Sequence, residues 1–122
     1  CSDEEFIRRV FLDTIGTLPT ATEVKTFLDD KSPDKRTKLV DVLLDRPEFA
    51  DYWALQLGDL FQNRKERDHD VRGTKNVRVM HNWIRKQVEA NRPWDELARE
   101  VLSAKGSSQE NPAVGYYVVT VG

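Results

Sequence analysis

The stretch ERDHD, Glu66 to Asp70, sets three carboxylates and one histidine within five residues. Carboxylate oxygens suit a hard cation, and an imidazole beside them brings zinc into range, provided that the ligands converge. Glu66, Asp68, His69 and Asp70 are therefore the metal candidates. The commoner fate of such a run is a solvated loop whose side chains point apart, and that reading is adopted. The second histidine, His81, stands between Val77 and Ile84 at the border of an apolar stripe. It suits a ligand or redox partner facing a haem on a neighbouring domain. It equally suits a half-buried histidine hydrogen-bonded to Tyr52 or Asp59, and this is the preferred reading.

Aromatic planes can stack on sugar rings, so Trp53, Trp83 and Trp94 are candidates for a glycan-binding face. Their helical spacing fits core packing at least as well, most clearly for Trp53. Ser103, Ser107 and Ser108 have no histidine or acid placed to activate them. AKGSSQ holds one glycine where a phosphate loop needs a richer pattern after a strand. No catalytic residue is assigned, and the chain leans away from being an enzyme by itself.

Cys1 is the only cysteine. It excludes an internal disulfide, a zinc knuckle and a C-x-x-C-H haem attachment within these residues. It reads as the boundary of a cut chain, with a lipidated residue or half of an external disulfide as alternatives. Lysine and arginine number 19 against 21 acidic residues in a chain of 122, for a net charge of -2. Interleaved signs without a basic block argue against nucleic acid. No apolar run approaches the roughly 18 residues that would span a bilayer.

These residues need elements to hold them. Ser2 with Glu5 is a capping box, followed by an apolar stripe through Phe6, Val10 and Ile15. Gly16 ends that helix, Leu18 plugs the turn, Pro19 fixes the exit, and Thr20 or Thr22 caps a second helix with Val24, Phe27 and Leu28 inside. Ser32-Pro33-Asp34 starts a third, running to about Asp45 with Leu39, Val42 and Leu43 inward. Pro47-Glu48 opens a fourth, whose Phe49, Trp53, Leu57, Leu60 and Phe61 make the richest apolar face. After the polar stretch from Asn63 to Gly73, a fifth runs from about Thr74 to Asn91. Pro93 then opens a sixth, with Trp94, Leu97, Val101 and Leu102 buried. Tyr116 to Val121 is β-prone and predicts an extended tail. The expected fold is all-α, a compact bundle of about six short helices over one domain, residues 1–122. Exposed ion pairs such as Arg8 and Arg9 with Asp13 contribute little; a buried Arg9 or Asp13 would instead clamp the corner at Leu18-Pro19.

The blocks FIRRVFLDTIGTLPT, KLVDVLLDRPEFADYWA, NWIRKQVEANRPWDELAREVLSAKGSS and NPAVGYY, in this order, resemble the domain of unknown function 1549. That domain is common in large secreted proteins of planctomycetes and related bacteria. The resemblance implies the amino-terminal helical part of a larger multidomain protein, secreted, periplasmic or at the cell surface. It implies neighbouring cytochrome c-like or carbohydrate-binding domains as partners. It also implies a C-x-x-C-H segment beyond the part corresponding to Val121, so that haem c belongs to the longer protein. The expected function is a structural or docking module, with Trp83, Trp94, Tyr116 and Tyr117 as the docking surface. The alternatives are one wall of an extracellular oxidoreductase or hydrolase acting on polymers, or a glycan-binding module. The latter needs two tryptophans on one exposed plane.

Overall fold

The computed structural model describes residues 1–63 and 73–120. Among them are seven α-helices, one 3-10 turn and no strand. The chain is all-α, as its periodicity predicts. None of the described helices is long and apolar enough to cross a membrane. Contacts group the chain into two compact units, Cys1–Tyr52 and Trp53–Gly122, which divide inside the fourth helix.

The first unit begins with two helices that the sequence punctuates at both ends. In α1 (Asp3–Ile15) the Ser2 hydroxyl accepts the Glu5 amide at 3.3 Å, and the Glu5 carboxylate accepts the Ser2 amide at 3.1 Å. Thr20 and Glu23 repeat this box at the start of α2 (Ala21–Asp29). Each box satisfies amides that the first helical turn leaves without partners. Between them Gly16 takes φ +71°, and its amide reaches the carbonyls of Phe11 and Leu12. Only a glycine fits here. A Cβ at Gly16 would lie 2.3 Å from Tyr52 Cδ2.

The third helix departs slightly from expectation. α3 (Lys35–Leu44) starts after Asp34, whose side chain makes no capping bond. The start signal Ser32-Pro33-Asp34 places the helix start earlier, but the Ser32 amide and hydroxyl both donate to Asp30 Oδ1, at 2.8 and 2.6 Å. The carboxylate captures the serine in a local turn and moves the helix start along. α4 (Pro47–Leu60) begins at the predicted proline.

Helices α2 and α3 both pack on α1. Ile7, Phe11, Ile15, Phe27 and Leu43 form the core, with the Phe6 and Phe27 rings stacked 6.0 Å apart. Burial of side chains of this size stabilises by about 1.5–3 kcal/mol each. Two ionic clamps close over it. Arg46 pairs with Glu23, and its guanidinium lies 5.4 Å from the Phe11 ring centroid. Lys35 Nζ meets Asp3 Oδ2 at 2.6 Å and the carbonyls of Phe27 and Asp30 at 3.3 and 3.0 Å. It thus places a cation on the negative end of α2. Arg36 adds a second bond to Asp3 and covers Phe6.

One expectation about the corner is corrected. Leu18 does not plug it: the side chain is 61% exposed, because the Tyr52 ring already covers Gly16. Arg9 and Asp13 are exposed, as expected of a helix surface, and the clamp at the corner is Glu23–Arg46.

The second unit is built on α5 (Gly73–Glu89) and α6 (Trp94–Ser103), with a 3-10 turn at Pro112–Val114 and α7 (Gly115–Thr120). Ala54, Leu57, Met80 and Ile84 form its core cluster, and Leu97, Val101 and Ala113 are buried too. The tail expected to be extended is therefore helical through Thr120. Pro112 sits at the start of the turn, and Gly115 follows so close to α5 that a Cβ would lie 2.9 Å from Met80 Sδ. This anchoring overrides the strand preference of Tyr-Tyr-Val-Val. A helix satisfies the backbone within itself, whereas a strand needs a neighbour.

Candidate functional site

An apolar groove of about 450 Å³ lies in the second unit, between the end of α4, α6 and Tyr116. The positioning of α6 starts at the end of α5. Asn91 adopts φ +47°, a left-handed conformation that asparagine tolerates better than most residues. Arg92 follows and is gripped from three sides: Gln87 Oε1 at 2.9 Å, Glu96 Oε2 at 3.5 Å, and Glu100. Glu100 foremost holds the Arg92 pKa above its ordinary value. Pro93 is then the residue from which α6 departs.

Two adjacent apolar rows run along α6. Leu97 and Val101 face the core and are buried. Trp94, Ala98 and Leu102 form the neighbouring row, four residues apart, and line the groove. Trp94 is 63% exposed and Leu102 68%. Leu60 of α4, on the same groove, is 73% exposed. The far side is aromatic. Phe61 and Tyr116 meet edge to face at 6.0 Å, and Tyr116 meets Tyr117 at 5.4 Å. The Tyr117 hydroxyl donates to the Leu102 carbonyl, which ties α7 to the end of α6.

The expected docking residues thus separate. Trp94 and Tyr116 line the groove, and Tyr117 supports it from behind. Trp83 is half-buried against the core cluster and does not line it. Leu60 and Leu102, read from sequence as core, are corrected to surface, as are Trp94 and, on α3, Val42. Trp53, the clearest core tryptophan by spacing, retains 36% exposure. The physical reason is common to them. An apolar stripe two rows wide can bury one row against a small core and leaves the other in water. The width of the α6 stripe, five apolar residues in nine, was the available signal.

The chemical candidates lie elsewhere. Glu66, Asp68, His69 and Asp70 fall outside the described residues. His81 is half-buried on α5, next to Met80. Among the described residues no three His, Cys, Asp or Glu side chains gather as a metal site. The Ser103 hydroxyl donates to the Arg99 carbonyl at 2.6 Å, and Ser107 Oγ accepts the Gln109 amide at 3.3 Å. Both serines thus close local backbone turns. A second concavity, of about 360 Å³ between α2 and α3, is edged by charges already in ion pairs: Lys35 with Asp3, Lys38 with Asp34 and Arg46 with Glu23. Lys35 above all, then Arg36, holds the Asp3 carboxyl below its usual range. Arg46 above all does the same for Glu23, helped by the Thr20 amide.

Fold and groove together define a small all-α chain with one apolar row of a helix left open to water. The chain belongs to the family described as PSCyt2, a protein of unknown function (DUF1549), whose model matches residues 1–121. Comparisons with curated proteins and with solved structures return no match.

Proposed function

We propose that this chain is a non-catalytic docking module that holds a neighbouring domain of the same polypeptide against the groove between α4 and α6. The observation that carries the reading is the gathering of Leu60, Trp94 and Leu102, three large apolar side chains mostly in water, around one concavity. Isolated exposed leucines are ordinary; a contiguous apolar patch marks a binding surface. Aromatic anchors at the centre of such a patch carry much of the affinity when they are desolvated.

The setting proposed is a secreted bacterial protein associated with c-type cytochrome domains. Its support is the family resemblance of the sequence blocks. A haem in that setting belongs to another part of the polypeptide. Thioether attachment takes a C-x-x-C-H run, whereas Cys1 is the only cysteine here and Glu4 and Glu5 stand where the second cysteine and the histidine would be.

Calorimetric titration of this chain with the separately produced neighbouring domains of its natural polypeptide tests the docking role. Binding that drops by about tenfold or more for Trp94→Ala and Leu60→Ser supports it. Binding indifferent to both substitutions, or no binding to any neighbour, overturns it. Visible spectra of the longer natural polypeptide, oxidised and reduced after haem maturation, test the setting. A haem band dependent on a C-x-x-C-H segment supports it, and the absence of any band overturns it.

A further inference from the structure

We infer that the groove also receives a second copy of this chain, α6 packing antiparallel on α6 with Ala98 at the crossing. The inference rests on the docking reading and names an occupant for the same face.

The row Trp94–Ala98–Leu102 has the form large, small, large. Residues four apart form one of the ridges by which helices interlock, and the side chains at the crossing set how closely the axes approach. Ala98 allows a close approach. In an antiparallel pair centred there, Trp94 of one copy stands opposite Leu102 of the other, and each bulky group fills space beside an alanine. The partner's row is thus the shape that this row lacks.

Charge selects the same arrangement. Asp95 and Arg99, both exposed, flank the row on one side. Their own i,i+4 contact is long, 3.7 Å, so neither is firmly engaged. An antiparallel partner brings Asp95 of each copy beside Arg99 of the other. A parallel partner would leave these charges on opposite sides of the interface, without a partner charge across it. The surface is therefore self-complementary in one orientation, as a two-fold interface requires. With Leu60 at its flank, a helix of 10 residues covers a small area. The interface belongs in the class below about 1,200 Å², where association is weak.

Analytical ultracentrifugation of the 122-residue chain from about 5 to 500 µM decides, since weak dimers dissociate across this range. The expected result is a reversible monomer–dimer equilibrium. Ala98→Glu should abolish it while leaving the far-UV circular dichroism unchanged, because the position faces water. Asp95→Arg and Arg99→Asp should each weaken the dimer, and the two together should restore it. A chain that stays monomeric throughout, or an Ala98→Glu variant that still dimerises, overturns the inference. So does a double swap that fails to restore association, because an unspecific apolar patch would not respond to charge reversal. The two readings fail separately. A monomer that still binds its neighbouring domain through Trp94 removes the second copy alone. A dimer lost in Ala98→Glu, beside domain binding indifferent to Trp94 and Leu60, removes the neighbouring domain alone.

Discussion

The corner at Gly16 and the groove beside α6 treat the same raw material in opposite ways. Both are places where one helix ends or begins and apolar side chains come to the edge of a small core. At the corner the edge is sealed. The Tyr52 ring lies on Gly16, the Arg46 guanidinium on Phe11, and Glu23 joins the guanidinium to the cap of the next helix. Beside α6 the ionic grip of Arg92 fixes the helix but covers nothing apolar in the groove, and the row through Trp94 and Leu102 stays in water. Charged stems that lie over rings close a core; the same charges placed behind a helix leave its face available.

The largest effect expected from breaking this contrast is at Phe11, 1% exposed in the first core. Phe11→Ala should cost about 3–5 kcal/mol, the transfer loss plus the cavity left beneath Arg46. Urea denaturation, followed by circular dichroism and by amide exchange in residues 1–52, measures it. The three tryptophans all lie in the second unit, so their fluorescence reports separately on that unit. A loss under about 1 kcal/mol would mean that Phe11 is not sealed and the contrast fails.

Gly16→Ala comes next. The left-handed backbone costs a residue with a Cβ about 1–2 kcal/mol. The collision with Tyr52 adds a similar amount of overpacking, about 1–3 kcal/mol. In a Tyr52→Ala background the second part should vanish and the first remain, so a double-mutant cycle separates strain from crowding. Equal cost in both backgrounds would show that the ring does not seal the corner.

How legible was this in the sequence? The helix ends were, because capping boxes, Gly16, Pro47 and Pro93 act through contacts within a few residues. The choice of which apolar row faces inward was not. Trp94 and Leu97 look alike by periodicity; which is buried depends on what packs against α6, and that comes from α4 and the chain after residue 111. The Glu23–Arg46 clamp was invisible for the same reason: its partners are 23 residues apart. The tail failed in the other direction. Its local strand preference was plain, and the packing of Gly115 on Met80 outweighed it.

The clamps should show in the pH dependence. Asp3 and Glu23 both have folded pKa values below their ordinary ones. Their contribution is therefore complete above the unfolded values near pH 4 and is lost as pH falls through the lower folded values. Amide exchange in the first unit should accelerate as the pH falls below about 4, and the acid slope should flatten in Asp3→Asn and Glu23→Gln. At neutral pH, Glu23→Gln keeps an acceptor for the Thr20 amide but loses the ion pair, which should cost about 1 kcal/mol. An acid slope unchanged in both variants would assign the loosening to other carboxylates and remove the clamps from the comparison.

The smallest effect is the one on which the groove depends. Leu60→Ser and Leu102→Ser should change unfolding free energy by no more than about 0.5 kcal/mol, since both side chains already face water in the folded chain. A small number here carries as much weight as a large one at Phe11. Replacing an apolar group that contributes to the core leaves a cavity, whereas replacing one that does not leaves only a more polar surface. If Leu102→Ser cost about 2 kcal/mol, the residue would be part of the core and the groove would have no open wall. If stability is unchanged while partner binding or self-association falls, Leu102 acts on association and not on folding, which is what separates this edge of the molecule from the sealed corner at Gly16.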